Sequence, residues 1–305
     1  MYDLAIIGGG PAGVAAGVYA SRKRLKTVFV TRDWGGQSTV SADVQNWIGT
    51  VSISGLDLAQ KLEEHLRAYA ADVVTIAAGE EVTKITDNKK GGFRVATDQN
   101  SYEAKTVLIT TGSHRRKLTV PGADRLEHKG ITYCASCDGP LFTDLDVAVI
   151  GGGNAAFEAA AQLLAYTKSV TLLNRSAEFR ADPVTVKKVL AHPKMKAVTN
   201  AELVEVKGET SVTGIVFKEN GVAKEIVVQG VFAEIGSLPT TEFAASLVEL
   251  DEYKRIKIDP WTQRTSRKGI WAAGDCTNIK YHQNNIAAGD AVRALEDVYI
   301  SIHAK

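Results

Sequence analysis

The chain is poor in sulfur, and that shortage decides a good deal. Three cysteines among 305 residues cannot make a secreted, disulfide-stapled framework. Cys134 and Cys137 lie close together and only Cys276 remains, so a four-thiolate zinc site cannot be built within one chain. No segment has the length and unbroken apolarity of a membrane span. The most apolar stretch, Leu4 to Ala20, is led by Asp3, lacks a basic flank and contains Pro11 and several glycines, so a signal peptide is not expected. Charge of one sign is missing as well. Lys and Arg total 36 against 35 Asp and Glu, and a formal charge of +1 gives no electrostatic pull toward nucleic acid or an anionic membrane. The expected setting is the cytoplasm, with no nucleic-acid, membrane or metal partner.

Hydrophobic residues make up 45% and charged residues 23%, a globular balance, and the length allows two domains, each with its own core. Residues 2 to 7 spell a buried parallel strand that runs into Gly8-Gly9-Gly10-Pro11-Ala12-Gly13 and then an Ala-rich helix to about Arg22. Strand before and helix after is the context that the Gly-x-Gly-x-x-Gly pattern needs for dinucleotide binding. Gly8 allows the tight turn, Gly10 admits the pyrophosphate to the backbone, and Gly13 lets helix and strand pack. The helix N-terminus then faces the phosphates. A second strand, Thr27 to Val30, leads to Asp33, which is either the acid that binds a ribose or a solvated turn residue before Gly35-Gly36. Three alternating runs, Val82 to Ile85, Phe93 to Ala96 and Ala104 to Thr110, predict a meander that ends in Thr110-Thr111-Gly112.

From Asp146 the same grammar begins again. Val147 to Ile150 leads into Gly151-Gly152-Gly153-Asn154-Ala155-Ala156, a helix to about Tyr166, a strand over Val170 to Leu173 and a second meander to Val228. Val231 to Gly236 follows. Two dinucleotide folds in one chain amount to a duplication of whole domains, and two sites imply two nucleotides. Asn174-Arg175-Ser176 ends the second strand, with Arg180 beyond. An acid there would repel a 2′-phosphate; these residues do not, and Arg175 and Arg180 either bind it or stand as a solvated helix entry. The pattern leans to NADPH, with NADH open.

The basic stretch His114-Arg115-Arg116-Lys117 and the linker Ser237 to Thr241 are two crossings, which predict a second domain inserted into the first. The chain then returns through Gly269 to Asp275, Tyr281-His282-Gln283-Asn284 and a closing helix from about Asn285 to Ile300, with Val292, Leu295, Tyr299 and Ile302 at helical spacing. Between the two nucleotide patterns sits Cys134-Ala135-Ser136-Cys137-Asp138-Gly139. A pair with two residues between them can close a small disulfide ring, and a helix start there stabilises the thiolate that exchanges it. Two inert buried thiols, or a metal site shared with histidines, are the competing readings. Cys276 is expected to be packing.

Taken in order, Gly8 to Gly13, Gly35-Gly36-Gln37, Asn46-Trp47, the Cys134 to Gly139 hexapeptide, Gly151 to Ala156 and Gly274-Asp275 resemble the low-molecular-weight thioredoxin reductases over nearly the whole chain. The resemblance implies an α/β protein of two Rossmann-like, three-layer ββα domains in a homodimer. Residues 1–113 and 242–305 would bind FAD, and 117–239 would bind NAD(P)H and carry the cysteines. For FAD the expected residues are Gly8, Gly10, Pro11, Ala12, Gly13 and Asp33, then Gly36, Gln37, Asn46, Val82, Thr111 and Gly112, and finally Gly274, Asp275, His282, Gln283 and Asn284. For NAD(P)H they are Gly151, Gly152, Gly153, Asn154 and Ala155, then Asn174, Arg175, Arg180, Ile235 and Gly236. Cys137 would lie nearest the flavin as the charge-transfer thiolate, Cys134 would attack the partner, and Asp138 would move the proton. A domain rotation hinged near Arg115 and Thr240 is also implied.

The departures point to a sister family. Asn174 and Ser176 replace two members of a His-Arg-Arg pattern, Ile48 stands where proline is usual, His282 stands where arginine is usual, and Pro140-Leu141-Phe142 follows the hexapeptide where two aromatics often dock thioredoxin. Several of these are features of the flavoprotein component of alkyl hydroperoxide reductase, which uses NADH and carries an extra N-terminal thioredoxin-like domain. Since this sequence opens on the FAD strand, electrons are expected to go to a separate thioredoxin-like or glutaredoxin-like protein. The function expected is thioredoxin reductase. The alternatives are an NADH-dependent reductase of a glutaredoxin-like or peroxiredoxin partner, and a flavin redox sensor that does not use nicotinamide.

Overall fold

Alternation along the first strand decides the layers. In β1 (Tyr2–Gly9), Leu4 and Ile6 belong to one hydrophobic cluster and Ala5 and Ile7 to another, and all four are buried. A strand buried on both faces belongs inside a parallel sheet covered on both sides. The computed structural model describes residues 1–41, 43–89 and 91–303. The chain forms two compact units, residues 1–114 with 238–305, and residues 115–237.

In the first unit β1 leads into α1 (Pro11–Arg22), with Pro11 at the first helical position where its missing N–H costs nothing. Next come β2 (Thr27–Trp34), α2 (Gly55–Ala70), β3 (Val74–Ala78), β4 (Val82–Asp87), β5 (Phe93–Thr97) and β6 (Ser101–Ile109). The Ser54 hydroxyl caps α2 by accepting the Asp57 N–H at 3.0 Å. Sheet order is β3-β2-β1-β6-β5-β4. Strand β6 does two jobs: residues 101–104 pair antiparallel with β5, while its whole length from Ala104 runs parallel to β1. The third alternating run is thus an inner strand of the parallel sheet as well as the end of a meander.

The chain leaves through β7 (Ser113–Arg115) and forms the second unit: α3 (Ala123–Leu126), β8 (Ile131–Thr132), α4 (Ala135–Asp138), β9 (Asp146–Ile150), α5 (Asn154–Leu163), β10 (Ser169–Leu173), α6 (Pro183–Leu190), β11 (Met195–Val198), a meander of β12 (Ala201–Lys207), β13 (Gly214–Glu219) and β14 (Val222–Ile226), and β15 (Gly230–Ala233). Its parallel sheet has the order β11-β10-β9-β15-β8. The chain returns by β16 (Ser237–Pro239), paired with β7, then β17 (Ile270–Ala272), beside the C-terminal half of β6, and α7 (Asn284–His303). Strand for strand, β3-β2-β1-β6-β17 repeats as β11-β10-β9-β15-β8. This is the duplication expected from the two glycine patterns, an α/β fold with the second domain inserted into the first.

Helix α7 runs slightly past the expected Ile300, and α5 stops short of Tyr166. Ala291, Ala294, Leu295 and Val298 of α7 are buried against the first unit's core, with Tyr299 and Ile302 at its edge. Cys276 is fully buried, with its thiol directed at the Ala273 and Ile109 carbonyl oxygens. Burial pushes that thiol up to about 12, so it stays protonated and acts as packing. No helix among the described residues is long and apolar enough to cross a membrane.

The end of β1 and the start of α1 touch at two glycines. Gly8 has φ +119°, and a Cβ on Gly13 would lie 1.8 Å from the Gly8 carbonyl oxygen. Replacing Gly13 with alanine is expected to cost about 1–3 kcal/mol through overpacking, read as a lower urea midpoint. A second prediction concerns Glu234, whose side chain is 6% exposed at the end of β15, with Arg115 Nη1 3.6 Å away. Burial pushes its carboxyl up to about 7, with Arg115 opposing and Glu158 adding to the shift. The unfolded chain releases that proton near 4.5. Between these values the folded state binds more protons, so this group's contribution makes stability fall as pH rises from about 4.5 to 7. In E234Q the pH 5 to pH 8 difference in urea midpoint is expected to shrink.

Candidate active site

The C-terminal ends of β1, β2, β6 and β17 open on a cleft of about 870 Å³ within the first unit, at the high end of the usual range for cofactor sites. Its walls carry Gly8, Gly10, Pro11 and Ala12 from the loop, Asp33, Gly36, Gln37 and Val82 from the next turns, and Thr111, Gly112, Gly274, Asp275 and Asn284 from the closing segments. A Cβ on Gly10 would meet nothing nearer than the Gly36 Cα at 3.9 Å, so two backbones form an open cradle there. That suits a pyrophosphate at a helix N-terminus. The residues present fit a dinucleotide such as FAD.

Four expected residues, Gly13, Asn46, His282 and Gln283, stand off the cleft wall. Gly13 is the packing contact already described. Asn46 donates its amide to Gln283 Oε1 at 3.1 Å, and Asn285 donates to the Asn46 carbonyl at 2.7 Å. His282 sits 3.7 Å from Asp275 Oδ1 through Nδ1, with Nε2 3.2 Å from the Ile279 carbonyl oxygen. Asn46, Gln283 and Asn285 thus join the segment near residue 46 to the one near 283, while His282 stays within the closing segment. Asp33 is exposed on the cleft rim and pairs with Arg32 Nε at 2.8 Å.

Sequence reasoning passed over Trp34, Phe243 and Glu80, which also line the cleft. Glu80 is buried, which pushes its carboxyl up. Hydrogen bonds from Thr97 Oγ1 (2.7 Å), Tyr102 Oη (2.7 Å) and Asn100 Nδ2 (2.9 Å) outweigh burial and hold it below the usual carboxylate value. The three donors lie within six residues at the end of β5, the following turn and the start of β6, and it is the fold that brings Glu80 to them.

In the second unit Gly151, Gly152 and Gly153 curve from β9 into α5. A Cβ on Gly152 would lie 2.2 Å from Asn174 Oδ1, while one on Gly153 would meet nothing within 4 Å. Asn174 is 5% exposed, and its amide donates to the carbonyls of Ser176 and Glu178, both at 2.9 Å. Its amide is turned into the fold as a brace of the 174–178 turn. Arg175 and Arg180 are exposed, and among the described residues neither is ion-paired. The Arg180 N–H donates to the Gly152 carbonyl at 2.8 Å, which ties this segment to the glycine loop. Asn154 accepts the Asp182 N–H at 2.8 Å, Ala155 is exposed in the first turn of α5, and Ile235 and Gly236 are exposed beyond β15.

The hexapeptide forms one turn. Cys134 and Cys137 are joined by a disulfide with their Cα atoms 5.3 Å apart. Cys134 precedes α4, and its sulfur and carbonyl both accept the Cys137 N–H, while the Asp138 N–H also reaches the Cys134 carbonyl. Cys137 is exposed and Cys134 half-buried. Burial raises the Asp138 carboxyl, opposed by a hydrogen bond from the Thr132 hydroxyl and by the charge of His128. Leu141 is exposed, but Phe142 packs inward against Phe232 with ring centroids 5.1 Å apart. Among the described residues no group of three or more His, Cys, Asp or Glu side chains is placed to hold a metal ion.

Residues 2–290 match the family described as pyridine nucleotide-disulphide oxidoreductase. A protein of Bacillus subtilis named NADH dehydrogenase is 38% identical over 296 residues, which is 96% of this chain and 57% of the relative. The F component of alkyl hydroperoxide reductase in Pseudomonas aeruginosa is 38% identical over 299 residues, with the same coverage. The chain therefore spans little more than half the length of these relatives. Thioredoxin reductase from Streptococcus pyogenes superposes with a TM-score of 0.90 at 34% identity, and that from Giardia duodenalis with 0.92 at 31%, each over 100% of this chain and 99% of theirs. The chain belongs to the pyridine nucleotide-disulphide oxidoreductases, flavoproteins that use FAD and NAD(P)H, and it has the two-domain fold of a thioredoxin reductase.

Proposed function

We propose that this protein is an NAD(P)H-dependent reductase of a thioredoxin-like protein disulfide. The first unit (residues 1–114 and 238–305) would bind FAD in the cleft at Gly8 to Gly13, and the second (115–237) the nicotinamide nucleotide at Gly151 to Gly153. The observation that carries this reading is the closed Cys134–Cys137 ring with an acid, Asp138, at the next residue. The two cofactors, when bound, supply the two electrons that open the ring.

The remaining chemistry belongs to side chains. In the reduced form the Cys134 thiolate attacks one sulfur of the partner's disulfide. That bond breaks, a mixed disulfide forms, and the leaving sulfur takes a proton from Asp138. Cys137 then passes its proton to the Asp138 carboxylate and attacks the Cys134 sulfur. The Cys134–Cys137 bond re-forms, and the second partner sulfur leaves with that proton. Asp138 can serve in both directions because burial lifts its carboxyl while one hydrogen bond and one nearby charge restrain it. The acceptor would be a separate thioredoxin-like or glutaredoxin-like protein, the assembly a homodimer and the compartment the cytoplasm.

A specific observation favours a second reading, in which NADH is the donor and a peroxiredoxin system the destination. Asn174 is buried, and the F components of alkyl hydroperoxide reductase in Pseudomonas aeruginosa and Escherichia coli are 38% and 37% identical to the chain. Under the first reading, R175A and R180A each weaken NADPH binding roughly tenfold, as loss of a charge-assisted hydrogen bond should, and leave NADH untouched. Anaerobic titration of the yellow protein with each nucleotide reads this out, and equal response to both favours the second reading. C134S and C137S are each expected to lower disulfide turnover about 10³-fold, with the double variant little worse, since the pair acts as a unit. Full turnover in either single variant would sink the assignment.

A further inference from the structure

Strand β8 is two residues long, yet it is the edge of the second unit's parallel sheet, where Thr132 stands opposite Phe232 of β15. That pairing fixes the backbone just before the cysteines. The Thr132 side chain is buried, at 6% exposure. Its hydroxyl donates to Asp138 Oδ2 and accepts the Cys134 N–H at 3.4 Å. The direction of both bonds follows from chemistry. A backbone N–H can only donate, so Thr132 must accept from Cys134, and its single O–H hydrogen is then free for the carboxylate.

We propose that Thr132 is the positioning residue of this site, tying the Asp138 carboxyl to the backbone of Cys134 so that proton carrier and attacking sulfur stay in one geometry. The proposal rests on the reading of Asp138 as the acid and base of the disulfide step. It deepens that reading by naming what holds the carboxyl. A hydroxyl that donates favours the ionised carboxylate, so it opposes the effect of burial. The other charge acting on Asp138 is His128, in the loop before β8, which works in the same direction. From α5, the polar neighbour of the hexapeptide is Gln162, uncharged and bonded to Ser136 Oγ at 2.7 Å. Thr132 is therefore the only side chain hydrogen-bonded to the Asp138 carboxyl among the described residues.

The test uses the reduced holoenzyme and the alkyl disulfide bis(2-hydroxyethyl) disulfide, whose leaving sulfur, unlike an acidic aromatic one, takes up a proton. The pH profile of thiol–disulfide exchange is followed by stopped flow for wild type, T132V, T132A, T132S and D138N. T132V keeps the shape and removes the hydroxyl, while T132A gives a second variant should T132V fold poorly. The limb assigned to Asp138 is expected to move to higher pH in T132V and T132A, with the rate at its plateau roughly tenfold lower, since a hydrogen bond to a charged group is lost. T132S is expected to restore both, and D138N to abolish the limb.

A wild-type limb and rate in T132V or T132A, with the limb gone in D138N, would overturn the role of Thr132 and leave Asp138 in place. A shift in T132V that T132S fails to rescue would reduce Thr132 to a packing residue and overturn the proposal as well. A limb that survives in D138N would overturn the Asp138 reading, and this one with it.

Discussion

A helix can start this closely against the end of a strand only where no Cβ stands between them, and the first unit is built on that constraint. There Gly13 lies on the carbonyl of Gly8; in the second unit Ala156 stands at the matching place, and it is Gly152, ahead of the helix, that lies on the side chain of Asn174. Just before α1 and α5 there is room: a Cβ on Gly10 would meet only the Gly36 Cα at 3.9 Å, and one on Gly153 would meet nothing within 4 Å. Unpaired N–H groups at a helix start need an acceptor, and a pyrophosphate is one of the right charge and shape. The layered core exists to hold these two turns still. Leu4, Ile6 and Phe29 press against the helices on one face, while Ala5, Ile7 and Val28 press against the meander side on the other.

Three carboxyls removed from water show how the fold grades acidity. Glu80 receives three hydrogen bonds and stays ionised, so it serves as a structural anchor beside the cleft. Glu234 has one guanidinium at 3.6 Å and a like charge in range, and burial dominates. Asp138 lies between them, raised by burial and restrained by one hydroxyl and one histidine. The role proposed for Asp138, to give and take a proton, suits that condition, because a fully satisfied carboxylate resists protonation and a wholly unpaired buried one resists ionisation. The gradation comes from how far burial outweighs the donors and charges within reach, not from residue type.

Some of this was legible along the chain because it is local. A strand, a glycine loop and an Ala-rich helix are consecutive, so their order could be read twice, and the ring between Cys134 and Cys137 spans only three positions. The burial of Cys276 followed from its having no partner in sequence. Other features were not legible because their partners lie far apart. The helix over Gly55–Ala70 and the strand after it attracted no motif, although they complete the first unit's edge and inner layer. Asn174 sits where a nucleotide-reading residue belongs, but the carbonyls of Ser176 and Glu178 draw its amide inward. Phe142 follows the hexapeptide as a docking aromatic would, yet Phe232 holds it in the core.

The repeated α/β architecture, the two glycine turns and the disulfide pair were set by the order of residues along the chain, because each is written in positions a few apart whose backbone preferences act locally. Which polar groups face one another was a matter for the folded molecule. Thr132 meets Asp138 because a two-residue strand is registered against β15, and Asn46 meets Gln283 across 237 positions because the sheet brings their segments together. Hydrogen bonds and burial depend on distance in space, and nothing in the spacing of residues along the chain measures that.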